Sequence, residues 1–244
     1  MILVLTKPEW EQQDAGYKEF AMMAALLDQG LPVLHLRKPD ASLEDLSSLM
    51  SRFTMLQRSR IALHPPLWLF QSCSLMEAIT ILESFMNSQN LERIHIPSWF
   101  RKLLGAYFVP FCCKMQQSGF LLSASIHHLN ELGALKGGHN DLINYQYIFV
   151  SPIFDSISKP GYKRNPDLLQ LDTAFNHTIS EKLVGLGGIG PDNLRRVKRA
   201  GFAGAAMLGA IWAGCFQKAL TDSIEKIICQ FKKCVDLWES MEQD

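Results

Sequence analysis

The sequence predicts an α/β protein folded as a single (β/α)8 TIM barrel, with residues 1–244 forming one domain. Three observations lead there. Eight short apolar runs alternate with longer amphipathic stretches along almost the whole chain, which is how repeated βα units read in a sequence. The length of 244 residues suits a barrel of this kind, which typically needs about 250. Polar and glycine residues collect where the apolar runs end, the face on which such barrels carry their chemistry. A doubly wound open sheet is the competing architecture, because periodicity alone does not tell whether a parallel sheet closes.

The elements follow in order. The first strand is expected at residues 2–5, where four apolar residues follow the initial Met with no basic stretch before them. That pattern fits a buried strand and not a secretion signal. The next seven strands are expected at 32–36, 60–63, 93–96, 121–126, 147–154, 182–187 and 204–208. Helices are expected between and after them at 8–29, 42–56, 74–87, 99–104, 128–135, 168–175, 191–200 and 217–238. Ser42 and Asp45 have capping-box spacing, and Pro191 suits a first helical turn. Two stretches fit poorly. Residues 64–93 contain Pro65-Pro66 and a helix with polar ends, and the apolar piece 108–113 could itself be the fifth strand.

Composition removes several classes of function. The 24 basic and 24 acidic side chains cancel, so bulk electrostatic capture of nucleic acid or of an anionic membrane is not expected. No apolar run approaches the roughly 18 residues of a membrane span. The six cysteines form no CxxC pair and have no companion histidine spacing, so they read as reduced thiols of a cytoplasmic protein, not as a zinc site or disulfide framework. A homo-oligomer is left open.

In a barrel the residues at the strand ends are the candidates. Side-chain alternation puts His35 and Arg37 on one face of the second strand, and Ser123, Ser125 and His127 on one face of the fifth. His64 ends the third strand, and Ser156, Ser158 and Lys159 follow the sixth. His95 sits one position deeper in its strand and reads as core. The stretch Leu183-Val-Gly-Leu-Gly-Gly-Ile-Gly-Pro-Asp-Asn193 runs a strand into consecutive glycines and then a helix, and the next strand ends at Gly209. Loops after the seventh and eighth strands of a barrel commonly bind phosphate, since glycine lets backbone N–H groups approach the anion. Gly187, Gly188 and Gly209 are therefore the expected phosphate contacts. The alternative is that small residues are needed there for tight packing. A metal site from His35, His64 and His127 is conceivable, but no ligand pair lies close in sequence, so no metal is expected.

Four stretches together resemble one family, that of thiamine phosphate synthase and its relative thiazole tautomerase (TenI-like). Leu34–Lys38 is similar to the family's Gln-x-Arg strand end, with His35 in place of glutamine. Ser123-Ala-Ser-Ile-His-His-Leu-Asn-Glu131 is similar to its Ser-x-His followed by a helix with Glu. Tyr147–Lys159 resembles its Gly-Pro-…-Thr-x-Thr-Lys segment with serines substituted. Val184–Asn193 resembles its Gly-Gly-Ile-x-x-x-Asn phosphate loop.

The resemblance implies a small phosphorylated thiazole as ligand, with Arg37 and His127 as catalytic residues. It implies substrate contacts at His35, Lys38, His64, Ser125, Ser156, Ser158 and Lys159. The synthase reaction joins a pyrimidine pyrophosphate to thiazole phosphate, and the resemblance implies magnesium for it, held by carboxylates after the third and fourth strands. Here those stretches read Ala62-Leu-His-Pro65 and Ile94-His-Ile-Pro-Ser98, without a carboxylate. The tautomerase implies a metal-free proton shift with the Ser-x-His histidine as acid/base, and that histidine is present as His127. On the sequence, tautomerase-like proton transfer without cofactor comes first. The synthase, the one reading that needs Mg2+, comes second, and a non-catalytic binder of a phosphorylated ligand third.

Overall fold

Eight parallel strands close on one another in sequence order in the computed structural model, which describes residues 1–10, 16–135, 143–155, 166–169 and 182–240. They are β1 Ile2–Leu5, β2 Leu34–Leu36, β3 Ile61–Leu63, β4 Arg93–Ile96, β5 Leu121–Ile126, β6 Tyr145–Val150, β7 Leu183–Leu186 and β8 Gly204–Met207. β1 pairs with β2 on one side and β8 on the other, so the sheet has no edge and the open-sheet alternative falls away.

Strand alternation makes two cores. Side chains facing outward join those of the surrounding helices in one large cluster, for example Val4, Leu34, Ile61, Ile94, Leu122 and Met207. Side chains facing inward fill the barrel lumen with Leu3, Leu5, Val33, Ala62, Tyr147, Phe149, Val184 and Ala206.

The helices stop and start for local reasons. The first, α1 (Tyr17–Asp28), begins after Gly16, whose φ of 73° is left-handed. It is shorter than the expected 8–29. The expected 42–56 helix is two helices, α2 (Leu43–Ser51) and α3 (Met55–Arg58), because Thr54 opens a second capping box with Gln57. Ser42 and Asp45 do form the capping box expected of them. The Pro65-Pro66 region holds α4 (Leu69–Ser72), and α5 (Leu75–Ser88) follows.

Then come α6 (Ser98–Leu104) and α7 (Phe108–Gln117). The apolar piece 108–113 is thus the start of a helix and not a strand. Its Phe108, Phe111, Cys112 and Met115 recur at helical spacing and are buried. A 3₁₀ turn (Leu129–Glu131) leads into α8 (Leu132–Leu135), and another covers Pro166–Leu169. After β7, α9 (Leu194–Arg199) starts later than expected, and Pro191 lies in the turn before it. α10 (Gly209–Trp212) and the long α11 (Leu220–Glu239) complete the order. All six cysteines are unpaired thiols. No described helix is long and apolar enough to cross a membrane.

Candidate functional site

The inward-facing residues near the strand ends form a polar and aromatic floor across the lumen. His35 of β2 is fully buried, His95 of β4 is 2% exposed and His64, just past β3, is 9% exposed. His35 Nδ1 lies 3.0 Å from His64 Nε2, and His35 Nε2 lies 2.7 Å from the Tyr147 hydroxyl. His95 Nδ1 lies 2.9 Å from Ser123 Oγ. The rings of His64 and His95 stack at 4.3 Å, and Phe149 packs against both His35 and His95. Burial keeps these imidazoles neutral. Loss of solvation, then the neighbouring His95, holds His35 well below its ordinary value; the same two causes act on His64, with His35 and Arg37 adding to them. His95 is pushed down to about 3, by burial first and the Arg37 charge second.

Arg37 stands where β1 and β2 end. Its backbone N–H donates to Thr6 Oγ1 at 2.9 Å, and the Thr6 hydroxyl donates back to the Arg37 carbonyl at 3.3 Å. Burial lowers its pKa while Glu9 and Asp40 oppose the shift. Lys38, expected to meet the ligand, has another task. Its ammonium donates to both carboxylate oxygens of Glu19 at 2.7 Å and to the Glu9 carbonyl at 2.7 Å, and it lies over the Trp10 ring. Both partners are almost wholly buried, so this cation completes a structural ion pair between β2 and α1.

At the end of β5 the turn that carries His127 is held from three sides. The Ser125 carbonyl accepts from Ser98 Oγ and Arg101, and Arg101 also pairs with Glu131. Glu131 Oε1 in turn accepts the backbone N–H groups of His127 and His128, each at 2.9 Å. His127 Nδ1 lies 3.0 Å from the Ser151 carbonyl, which only accepts, so the neutral ring carries its proton on Nδ1 and its lone pair on Nε2.

The glycine loops lie against the same segment. A Cβ on Gly187, whose φ is 101°, would come within 3.0 Å of Pro152 Cα. One on Gly188, whose φ is 62°, would lie 2.2 Å from the Asp155 carbonyl oxygen. Both positions require glycine for backbone conformation and for this close approach. The loop is shaped by Asn193, whose Oδ1 accepts from Gly190 N–H and whose Nδ2 donates to the Gly188 carbonyl. A Cβ on Gly190 would touch Ala210 Cβ at 3.3 Å, so the loop after β7 reaches the first turn of α10, which Gly209 opens. The Ile211 and Trp212 N–H groups are bonded to the Leu208 carbonyl, so the donors this turn can offer are those of Gly209 and Ala210.

The structure therefore brings His35 and His64 together and adds His95 and Tyr147. The sequence reads His95 as core, and it is buried there; the grouping of His35 and His64 with His127, conceivable from the sequence, is replaced by their grouping with His95. Arg101 and Tyr147 were not anticipated either. Tyr147 was legible, since period-two alternation puts it on the same face of β6 as Phe149. Arg101 carried no signal, because a helix cation that reaches back to a strand-end carbonyl leaves no spacing rule. Ser125 is buried beside its bonded carbonyl. Ser156, Ser158 and Lys159 lie outside the described residues.

The one three-ligand group among the described residues does not suit magnesium. Among the described residues, the one group of three side chains able to hold an ion is His35, His64 and His95. Magnesium demands a near-octahedral set of oxygens, which three imidazoles do not supply.

Comparison with known proteins adds the following. A family model described as thiamine monophosphate synthase matches residues 112–211. A thiamine-phosphate synthase of Anoxybacillus flavithermus is 31% identical over 90 residues, covering 37% of this chain and 39% of that protein. One of Staphylococcus carnosus is 28% identical over 114 residues, covering 47% of this chain and 50% of that protein. The matches thus span half or less of the length of these curated relatives. Among solved structures, thiamine phosphate pyrophosphorylase from Bacteroides thetaiotaomicron superposes with a TM-score of 0.62 at 24% identity, covering 97% of this chain and 98% of that one. A mutant tryptophan synthase α-subunit from Pyrococcus furiosus reaches 0.66 at 9% identity, covering 96% and 97%. The structural likenesses speak for the barrel fold alone. The sequence matches name the synthase and not the tautomerase, which reverses the order in which the sequence placed the two.

Proposed function

We propose that this chain, a relative of the thiamine phosphate synthase and thiazole tautomerase (TenI-like) family, is a synthase-type enzyme that joins a pyrimidine pyrophosphate to a phosphorylated thiazole. The observation that carries this reading is the family-model match over residues 112–211, the stretch that holds β5, β6, the glycine loop and β8, and two thiamine-phosphate synthases match part of the chain as well. The thiazole phosphate is assigned to the backbone N–H groups of the loop at Gly187 and Gly188 and of Gly209 at the start of α10, on the side away from Pro152 and Asp155, which fill the space a side chain would take at the two loop glycines. Arg37, near the neutral histidines at the β1 and β2 ends, takes charge on the leaving pyrophosphate. Lys38, bound to Glu19, does not share that work. No step is assigned to magnesium, which the three-histidine group does not suit.

One observation favours the proton shift as a second reading. The Ser151 carbonyl leaves the His127 lone pair on Nε2, the state a general base needs, and the segment that orients it also packs on the glycine loop. The two readings separate in one set of assays on purified protein. Release of pyrophosphate that requires both substrates supports the synthase. Conversion of a thiazole carboxylate phosphate without the pyrimidine, lost about 100- to 10,000-fold in His127→Ala, supports the tautomerase. Thiazole phosphate binding with neither conversion leaves a binder and refutes both.

A further inference from the structure

We propose that His35, His64 and His95 form a binding site for one borderline divalent transition metal of the zinc class, built into the lumen at the floor of the barrel mouth. The inference does not depend on the reaction the barrel performs. Where the family resemblance implies carboxylates after β3 and β4, this chain has imidazoles, and the fold brings a third from β2 to meet them.

The geometry is close to that of a bound ion. One ligand atom from each ring lies within 4.8 Å of the other two. On a tetrahedral zinc, with Zn–N near 2.0–2.1 Å, two coordinated imidazoles have ring centroids about 5.2 Å apart. The His35–His64 and His35–His95 centroids are 5.2 and 5.3 Å apart. The His64–His95 pair, at 4.3 Å and stacked, must open by about 1 Å to match the same tetrahedral spacing. Side-chain torsion of His64, which follows β3 and is not inside a strand, provides that movement.

The surroundings are those of a ligand set. A metal-bound histidine generally gives its second ring nitrogen to an oxygen partner that fixes its orientation. The Tyr147 hydroxyl holds Nε2 of His35 and Ser123 Oγ holds Nδ1 of His95, which directs His35 Nδ1 and His95 Nε2 toward the common centre. His35 Nδ1 already faces His64 Nε2 across 3.0 Å, and a cation between the two nitrogens would displace their hydrogen bond, its proton moving to the other nitrogen of the same ring. Binding turns His35 to the tautomer with its proton on Nε2, donated to Tyr147. All three rings remain neutral, so no net proton is released. Nitrogen donors of this kind select zinc, cobalt, nickel or copper over magnesium. Three protein ligands leave a fourth tetrahedral position for water or for an oxygen of a bound molecule. His64 is the most accessible of the three and marks the way in.

The test uses the whole chain, stripped with chelator and then dialysed against Zn2+ or Co2+ alone. Elemental analysis should find one equivalent retained, and Co2+ should give the intense visible absorption of a tetrahedral site. His95→Gln and His64→Gln should each lower affinity at least about 100-fold, and Tyr147→Phe about 10-fold. His128→Gln, exposed and outside the cluster, should change nothing. Because a lumen variant can fail to fold, imidazole NMR of the wild type provides an independent readout. Three of the seven histidine rings should shift with one equivalent of Zn2+. Failure to retain metal, or shifts confined to other rings, would overturn the proposal and leave the three histidines as a hydrogen-bonded core cluster.

Discussion

Acidification should destabilise this barrel at a pH where carboxylates are still ionised. The perturbation is protonation of His35, His64 and His95, whose folded pKa values all lie below the ordinary 6.5 because burial disfavours the charged ring. As pH falls through 6.5 the unfolded chain takes up protons that the folded chain refuses. Stability that is fully present above that value is then lost, down to the folded pKa, which for His95 is about 3. A histidine with an unfolded pKa near 6.5 that stays neutral when folded costs about 2 kcal/mol of stability between pH 7 and pH 5. Three together cost at most about 6 kcal/mol, against a typical total of about 5–15. The assay is urea unfolding followed by circular dichroism at pH 7, 6 and 5, in chelator so that no metal competes with protons. The midpoint should fall steeply while the slope m stays constant. A free energy that changes by less than about 1 kcal/mol across this range would refute the reasoning, since it would mean that the rings charge inside the folded lumen.

Other outcomes follow from the same structure. Lys38→Met should cost about 3–5 kcal/mol by stranding a buried Glu19 carboxylate, and Lys38→Met with Glu19→Leu should recover most of it, both read from urea midpoints. Were Lys38 a ligand cation instead, the single variant would weaken phosphate binding at unchanged stability. Gly188→Ala combines a left-handed φ, worth about 1–2 kcal/mol, with a Cβ only 2.2 Å from the Asp155 carbonyl. It should lower both Tm and the affinity for inorganic phosphate measured by calorimetry. Gly30→Ala has the strained φ with open space around it, so it should lower Tm by less and leave phosphate binding intact. Arg37→Ala should weaken binding of pyrophosphate more than that of monophosphate, since its guanidinium is assigned to the leaving group.

The fold was legible because its signal repeats. β1, β4 and β5 fall on the residues that alternation marks, and the other strands differ only at their ends. Which strands neighbour one another then follows from chain order. One discarded alternative and one shifted helix start have physical causes. Residues 108–113 are apolar enough for a strand, and only the buried spacing at Phe108, Phe111, Cys112 and Met115 reveals a helix. Pro191 is compatible with a first helical turn, but the Asn193 side chain bonds to Gly190 and Gly188 and delays the helix to Leu194. The site was legible residue by residue but not in its groupings. Nothing in the chain shows that His95, set one residue inside its strand, meets His35 across the lumen, because strand stagger decides that. Nor does sequence show that Lys38, next to Arg37, turns outward to Glu19, although alternation already puts the two on opposite faces of the strand.

The contact between the loops after β6 and β7 joins two stretches that are distant in sequence into one mechanical part. The Phe154 N–H donates to the Gly187 carbonyl at 3.0 Å, and the Asp155 carbonyl occupies the space where any side chain at Gly188 would lie. Neither stretch shifts without carrying the other. Whatever presses on the glycine loop therefore also re-aims the backbone at Asp155, the point from which the chain leads on to Ser156, Ser158 and Lys159.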